Sequence, residues 1–286
     1  MRPNHNQFVA FANVVREGSF SAAAARMDVT QSTITQHIGN LEKTVGTLLL
    51  LRGRDGVELT PAGRELYDLA DRMVALEAEV SERLEGFCSM KNGRLNVIGN
   101  APQPALRIIA KFRQRFPDIH VNFSLYDWTT ATNMLRARLA DVGVITDPPI
   151  LDVWERVFVE SADYVLYCPV GHHLAGRDSI SLNDLTSETL IVPEKGSLTR
   201  KLLDDACRKN QIELKRIATM TTFPLMYEAV LQGVGVAIFL RDSSLIKNAA
   251  IEIPIREFDR QHETYLIATK DRVRLKLVSA LIDCVG

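Results

Sequence analysis

Hydrophobic and polar positions alternate at helical spacing from the start of the chain. Phe8, Phe11, Ala12 and Val15 fall at i, i+3, i+4 and i+7 and predict an amphipathic helix over 7–17. Gly18 breaks it. Ser19 or Ser21 can cap a second helix, whose run Ala22, Ala23, Ala24, Ala25 lets a neighbouring helix approach closely. Asp28 and Val29 make a turn, and Thr30 has the chemistry to N-cap a third helix. The apolar stripe of that helix is Ile34, Ile38 and Leu41, with Val45 a turn further on; Gln31, Ser32, Thr33, Thr35, Gln36 and His37 fall mainly on its other faces. Gly46 ends it. A short apolar run at 48–51 and a strand at 57–59 flank Gly53 and Gly56, which suit a tight hairpin. Helix, turn, helix and β-wing are thus expected in that order, with Arg52 and Arg54 near the wing tip.

Pro61 sits where a helix can begin, because its missing N–H is no loss there. From 61 to about 89 apolar residues recur at Leu66, Leu69, Met73, Leu76, Val80, Leu84 and Phe87, close to a seven-residue repeat. Such a helix either packs on its own domain or pairs with a second copy; the sustained repeat favours a dimerising linker. After Lys91, Asn92 and Gly93 the pattern changes. Strands are expected at 94–98, 120–125, 142–146, 164–169, 190–192, 216–220, 236–239 and 264–269. Helices are expected at 104–116, 130–139, 199–209, 225–232 and 272–285. Alternating strands and helices imply open parallel-type sheets. Their length suggests two lobes, the chain crossing near 160 and returning near 268.

Composition adds constraints. The 286 residues are 46% hydrophobic and 24% charged, ordinary for a globular chain, and the net charge of −1 gives no global signal for nucleic acid. The first sixty residues set Arg2, Arg16, Arg26, Lys43, Arg52 and Arg54 against Glu17, Asp28, Glu42, Asp55 and Glu58. Any DNA affinity must come from placement and from two copies acting together. Cys88, Cys168, Cys207 and Cys284 lie far apart, with no zinc-type or disulfide-framework spacing. A redox switch through Cys168 and Cys207 would need a lowered thiol pKa and exposure; Arg208 and Lys209 flank Cys207, whereas Cys168 sits in an apolar strand. The first residues lack an apolar core of signal-peptide type and no membrane-spanning run exists, so the expected compartment is the cytoplasm.

These residues resemble the LysR-type transcriptional regulators. The likeness is strong in Phe8, Val14, Gly18, Ser19, Phe20, Ala23, Ala24, Val29, Thr30, Gln31, Ser32, Thr35, Ile38, Leu41, Glu42, Gly46, Arg52 and the run Leu59, Thr60, Pro61, Ala62, Gly63. It is looser in Phe112, Phe116 and Pro117, in the strand from Leu139 through Asp141 to Val144, and in the glycine turn Gly233, Gly235. Departures are Thr35 for the usual Ser, Gln36 for a basic residue, Leu50 for Phe, Leu48 and Leu51 for polar residues, and Leu240 for a frequent Pro. The leucine run is expected to make an apolar wing root that packs a dimer contact. The resemblance implies an α/β chain with an N-terminal winged helix-turn-helix, a long linker helix and a two-lobed periplasmic-binding-protein-like (type 2) effector domain. The expected boundaries are 1–60 for DNA binding, 61–90 for the linker and 91–286 for the effector domain, with lobe I at about 91–160 and 269–286 and lobe II at about 161–268.

The expected partners are double-stranded DNA, a small-molecule effector and further copies of the chain, as a homodimer or homotetramer. The DNA contact face comprises Gln31, Ser32, Thr33, Thr35, Gln36 and His37, since a helix fits the major groove and Gln can bond adenine bidentately. Arg52 and Arg54 would meet phosphates or the minor groove, each adding about one unit to the salt dependence. The effector is expected between the lobes, at strand carboxyl ends and helix amino ends. The candidate ligands are Asn100, Ala101, Thr129, Thr146, Asp147, Ser197, Thr199, Thr222 and Phe223, and the resemblance adds weight to Asn100, Thr129, Ser197 and Thr222. Rich in hydroxyls and poor in large aromatics, this set suits a carboxylate, an amino acid or a phosphorus-containing anion, with Asp147 facing an ammonium group.

Other functions fit less well. No Ser/His/Asp set, metal-ligand spacing or glycine-rich nucleotide loop appears, so neither an enzyme nor a cofactor or metal is expected. His172 and His173 follow Gly171 in a loop and read as surface. A pure solute-binding protein shares the two-lobed architecture but not the helix-turn-helix.

Overall fold

The computed structural model describes residues 3–53, 56–84, 93–243 and 249–286. Helix α1 (His5–Glu17) starts in a capping box: Asn4 accepts the Gln7 N–H and the Gln7 side chain accepts the Asn4 N–H. Helix α2 (Phe20–Arg26) is capped by Ser19 and α3 (Gln31–Val45) by Thr30. Strands β1 (Leu50–Gly53) and β2 (Gly56–Leu59) form the antiparallel wing. Buried Ala23 and Ala24 let α2 approach a core of Phe11, Ile34, Ile38, Leu41, Leu49 and Tyr67. The Glu42 carboxylate accepts the N–H groups of Leu49 and Leu50 at 2.8 and 3.2 Å, fixing the wing root to α3. Gly63 is held even more tightly: a Cβ there would lie 2.1 Å from the Leu49 carbonyl oxygen. Glu42 and Gly63, both part of the family-like pattern, therefore serve the fold of this domain. The leucine run divides: Leu49 and Leu50 are buried in the domain's own core, and only Leu48 and Leu51 remain exposed.

Helix α4 (Pro61–Leu84) has two faces. Tyr67, Ala70, Asp71 and Ala75 are buried, the first two in the winged-domain core. Of the heptad residues, Leu66 packs against that core, while Leu69, Leu76 and Val80 are exposed and Met73 is half-buried. The Leu84 side chain and Phe87 lie outside the described residues. Packing on its own domain and an apolar outer stripe therefore coexist on one helix.

The remainder forms two five-stranded sheets. The first has the order β4 (His120–Leu125), β3 (Arg94–Gly99), β5 (Val142–Thr146), β12 (His262–Thr269), β6 (Trp154–Ala162). The second has the order β11 (Ala250–Pro254), β7 (Tyr164–Pro169), β10 (Val236–Leu240), β8 (Leu190–Val192), β9 (Ile217–Thr219). Helices α5 (Pro102–Arg115), α6 (Trp128–Arg136) and α9 (Lys276–Ile282) belong to lobe I, and α7 (Leu198–Asn210) and α8 (Phe223–Leu231) to lobe II.

The chain leaves lobe I between β6 and β7. It returns between β11 and β12, well before residue 268. This corrects the expected lobe boundary: β12 pairs antiparallel with both β5 and β6, so residues 262–269 belong to lobe I. Strands β6 and β11 were absent from the sequence expectation, and the expected helix at 272–285 is a 3₁₀ turn at Arg272–Arg274 followed by α9.

Candidate DNA-reading face and effector cavity

Helix α3 presents its polar side outward because Ile34, Ile38 and Leu41 anchor the opposite face. Gln31, Ser32, Thr35 and Gln36 are exposed, and Thr33 and His37 are half-buried. Several hydroxyls are committed locally. Thr30 Oγ1 accepts the Thr33 N–H and lies 2.7 and 2.8 Å from the Ser32 and Thr33 hydroxyls, while Thr35 donates back to the Gln31 carbonyl at 3.0 Å. Gln31 and Gln36 make no internal side-chain hydrogen bond among the described residues, and both are exposed. Exposed Asn40 and Lys43 lie on later turns of α3; sequence reasoning did not assign them to this face. Arg52 lies on β1, and Arg54 is outside the described residues.

A cavity of about 140 Å³ lies between the lobes. Of the nine expected ligand residues, Asn100, Ala101, Ser197, Thr199, Thr222 and Phe223 line it. Helices α7 and α8 begin at its wall with Ser197 and Thr222 as N-caps, and neither side chain makes a capping bond. Their hydroxyls and first-turn N–H groups, of which α8 lacks the one at Pro224, are open to a ligand oxygen. Helix α5 contributes less than expected, since Pro102 and Pro104 remove two donors from its first turn. Tyr126, Trp128, Tyr164, Phe223 and Phe239 also line the cavity, which corrects the expectation of few aromatics. Burial pushes the Tyr164 hydroxyl well above its ordinary pKa, so it stays protonated and accepts from Thr199 at 3.3 Å. Two carboxylates, Asp127 and Glu194, complete the lining, and no Lys, Arg or His joins them among the described residues.

Thr129, Thr146 and Asp147 do not line the cavity. Thr129 bridges the lobes: its N–H and hydroxyl both donate to the Gly196 carbonyl, at 3.2 and 2.9 Å, and its hydroxyl accepts from Lys201 at 2.8 Å. The Lys201 ammonium sits 4.2 Å from the Trp128 ring centre. The lobes meet so closely that a Cβ on Gly196 would lie 2.3 Å from the Asp127 carboxylate, which itself caps α6. Thr146 is buried, its hydroxyl 2.9 Å from that of Thr264, and its N–H donates to the Asn100 side chain at 3.0 Å. Asp147 is consumed by the return crossing. It shares a 2.6 Å hydrogen bond with buried His262, pairs with Arg260 and accepts the Glu263 N–H. Burial alone would raise its carboxyl pKa, but the bond to His262, the Glu263 N–H and Arg260 together hold it below the usual range. The expected ammonium contact at Asp147 is therefore replaced by Arg260, His262 and the Glu263 N–H.

Sequence reasoning missed a charge cluster between α1, α4 and lobe I. The Asp71 carboxylate, 0% exposed, accepts from Arg138 at 2.7 Å, from Arg272 at 2.8 and 2.9 Å, and pairs with Arg16 at 3.2 Å. Arg16 and Arg272 also reach Asp141, at 2.7 and 2.9 Å, and Arg138 pairs with Asp271. Burial alone would raise Asp71, but Arg272, Arg16 and Arg138 together hold it below the usual carboxylate range. Leu139 packs against the winged-domain core beside this cluster. The one available signal is an acid at a core-facing position of α4, between Tyr67 and Ala75.

The cysteines lack the features of a sensor pair. Burial pushes the Cys168 thiol up to about 11 and also raises Cys207, where Asp204 adds to the effect. Cys88 lies outside the described residues.

Residues 5–64 match the family model described as bacterial regulatory helix-turn-helix protein, lysR family, and residues 93–286 match the LysR substrate binding domain. The chain is 30% identical over 239 residues to the HTH-type transcriptional regulator CysL of Bacillus subtilis, covering 81% of this chain and 78% of that protein. It is 27% identical over 284 residues to the HTH-type transcriptional activator CmpR of Synechocystis, covering 97% and 93%. Among solved structures, a full-length OxyR variant from Pseudomonas aeruginosa superposes with a TM-score of 0.81 at 16% identity, over 100% of this chain and 95% of that one. CbnR, a LysR family transcriptional regulator, gives 0.54 at 22% identity, over 99% and 100%. These likenesses support the fold. No helix among the described residues is long and apolar enough to cross a membrane.

Proposed function

Since the chain belongs to the LysR family of DNA-binding transcriptional regulators, which are not enzymes, we propose that a small amino acid bound between its lobes controls how α3 engages an operator. The observation that carries this reading is the polarity of the cavity. Uncapped N-termini of α7 and α8 share the wall with the carboxylates of Asp127 and Glu194, with no side-chain cation among the described lining residues. A bare anion would gain from the helix N-termini but face two negative charges. A zwitterion satisfies both: its carboxylate meets Ser197, Thr222 and backbone N–H groups, and its ammonium meets Glu194. Asp127 already accepts two N–H groups of α6, so Glu194 is the stronger ammonium partner. The aromatic walls suit a short apolar side chain.

The operator would be read by two or four copies. The stripe of exposed Leu69, Leu76 and Val80 with half-buried Met73 on α4 is the surface through which a second copy would pair. Ligand would act by its differential affinity for two lobe arrangements, shifting the placement of paired α3 helices.

Calorimetric titration tests the effector class. Small amino acids should bind at least tenfold more tightly than their des-amino carboxylate analogues, the value of about one charge-assisted hydrogen bond. Glu194→Gln should abolish that preference. Equal binding of the des-amino acids to the native protein would overturn the zwitterion assignment and leave a plain carboxylate. Gln31→Ala should weaken operator binding while leaving ligand-induced thermal stabilisation intact; unchanged operator affinity would remove Gln31 from the reading face.

A further inference from the structure

We propose that His172, His173 and Glu188 form a binding site for a borderline divalent transition-metal ion of the Zn²⁺ or Co²⁺ kind, at the end of lobe II remote from the effector cavity. The sequence reading took both histidines as plain surface and expected no metal, because the carboxylate that completes the set comes from a different loop. Strand β7 starts at the cavity with Tyr164 and runs away from it to Pro169, where a turn carries the two histidines. Strand β8 runs the other way, from Leu190 towards Pro193 and Glu194 at the cavity wall, so Glu188 precedes it at the remote end.

The backbone holds the three side chains in place. The His172 N–H donates to the Pro169 carbonyl at 3.0 Å and the Ala175 N–H to the His172 carbonyl at 2.8 Å, while Gly171 supplies the left-handed turn at φ 97°. Glu188 follows a 3₁₀ turn and donates its N–H to the Leu185 carbonyl at 3.1 Å. His172 Nε2 lies 3.3 Å from one Glu188 oxygen and His173 Nε2 lies 3.3 Å from the other. The two rings are 4.5 Å apart, and one donor atom from each of the three residues falls within 4.8 Å of the others.

Those separations suit a metal. Ligand bonds of about 2.0–2.2 Å place neighbouring donors of a tetrahedral site about 3.3–3.6 Å apart. With a single Glu188 oxygen as ligand, one histidine–glutamate separation already meets that value, and the second histidine lies 3.3 Å from the other oxygen of the same carboxylate. The imidazoles must close together, and His173, with its side chain 62% exposed, has the freedom to move. Two imidazole nitrogens with one carboxylate favour Zn²⁺, Co²⁺ or Ni²⁺ over the hard cations Ca²⁺ and Mg²⁺, which take oxygen donors. A fourth position is left for water. Glu188 has no Lys or Arg ion-pair partner among the described residues, so its charge is available to a cation. The competing arrangement is a metal-free one in which each Nε2–H donates to Glu188; the Leu174 N–H, 3.4 Å from His172 Nδ1, fits that tautomer.

The experiment uses the full chain with any affinity tag removed. Titration with Co²⁺ should give one equivalent per chain, with visible bands of four-coordinate cobalt, and Zn²⁺ should displace them. His173→Ala and Glu188→Gln should each weaken Co²⁺ binding at least tenfold. His5→Ala, which removes an exposed histidine paired with Glu77 at 3.0 Å, should not. Circular dichroism of His173→Ala checks that the fold is kept; the exposed ring has little packing to lose. The proposal fails if native protein takes up no stoichiometric Co²⁺, or if His173→Ala and Glu188→Gln bind it as native protein does. Amino-acid binding between the lobes is a separate measurement, so either result leaves the effector reading standing or falling by itself.

Discussion

Replacing Asp71 with Ala tests whether the buried charge cluster holds the winged domain and linker helix against lobe I. The substitution removes the shared acceptor of Arg16, Arg138 and Arg272 from a site where the Asp71 side chain is 0% and that of Arg272 1% exposed. Removing one partner of a buried ion pair costs about 3–5 kcal/mol, most of it the penalty of the unpaired charge left behind. Here each arginine keeps a second acidic partner: Asp141 for Arg16 and Arg272, and Asp271 for Arg138. The loss should therefore fall at the lower end, about 3 kcal/mol, on the order of a hundredfold in the docking equilibrium. Urea unfolding of native and variant protein reads this directly. Asp68 supplies an internal control, since it approaches the same Arg138 only to 4.0 Å and is 57% exposed; Asp68→Ala should cost less than about 0.5 kcal/mol. A double-mutant cycle with Arg272→Met should return a coupling above about 1 kcal/mol. If Asp71→Ala lies within about 1 kcal/mol of native protein, or adds to Arg272→Met without coupling, the cluster is not what docks the domains.

Acid should undo the same contact. Burial would raise Asp71 and Asp271, but their arginine partners hold both carboxyls low, so they stabilise the fold fully above the unfolded value of about 3.9 and lose that contribution as pH falls through the lowered folded values. Scanning calorimetry should show native Tm falling steeply below about pH 4 and a shallower decline in Asp71→Asn; parallel curves would count against this linkage. Gly63→Ala should destabilise the winged domain by about 1–3 kcal/mol, because its Cβ would meet the Leu49 backbone oxygen at 2.1 Å; an unchanged melting curve would show that β1 yields freely. Leu76→Glu, at a position 61% exposed, should leave stability within about 0.5 kcal/mol yet shift the light-scattering mass toward the monomer; an unaltered mass would place the dimer contact elsewhere.

What was legible in the sequence follows from range. The stripe of Ile34, Ile38 and Leu41 is a contact pattern within one helix, so periodicity locates α3 and its outward glutamines, and the capping chemistry of Thr30 marks its start. Strands β6 and β11 carry half-buried residues along most of their length, and that pattern has no clear alternation to find. Strand β12 is recognisable as buried, but burial does not say in which sheet, and its pairing with β5 and β6 moves the lobe boundary. Asp147 reads as a ligand contact because it ends a strand at the right place; His262 and Arg260, which occupy it, arrive from far along the chain.

Helix α4 shows most plainly why pattern and partner separate. Its leucines suggest one apolar seam, yet the residues that bond to lobe I are Tyr67 and Asp71, Ala70 sits in the winged-domain core, and Leu69, Leu76 and Val80 stay outside. An apolar face can slide against many surfaces, whereas three arginines converging on one carboxylate fix a single register. The arginines and Asp141 surround the start of β5, and Thr146 at its other end donates to Asn100 in the cavity wall. One fully buried strand thus joins the cavity between the lobes to the contact that holds the winged domain. A ligand that moved Asn100 would act on an element whose far end is clamped to α1 and α4, and the specificity of that clamp lies in the residues a hydrophobic pattern passes over.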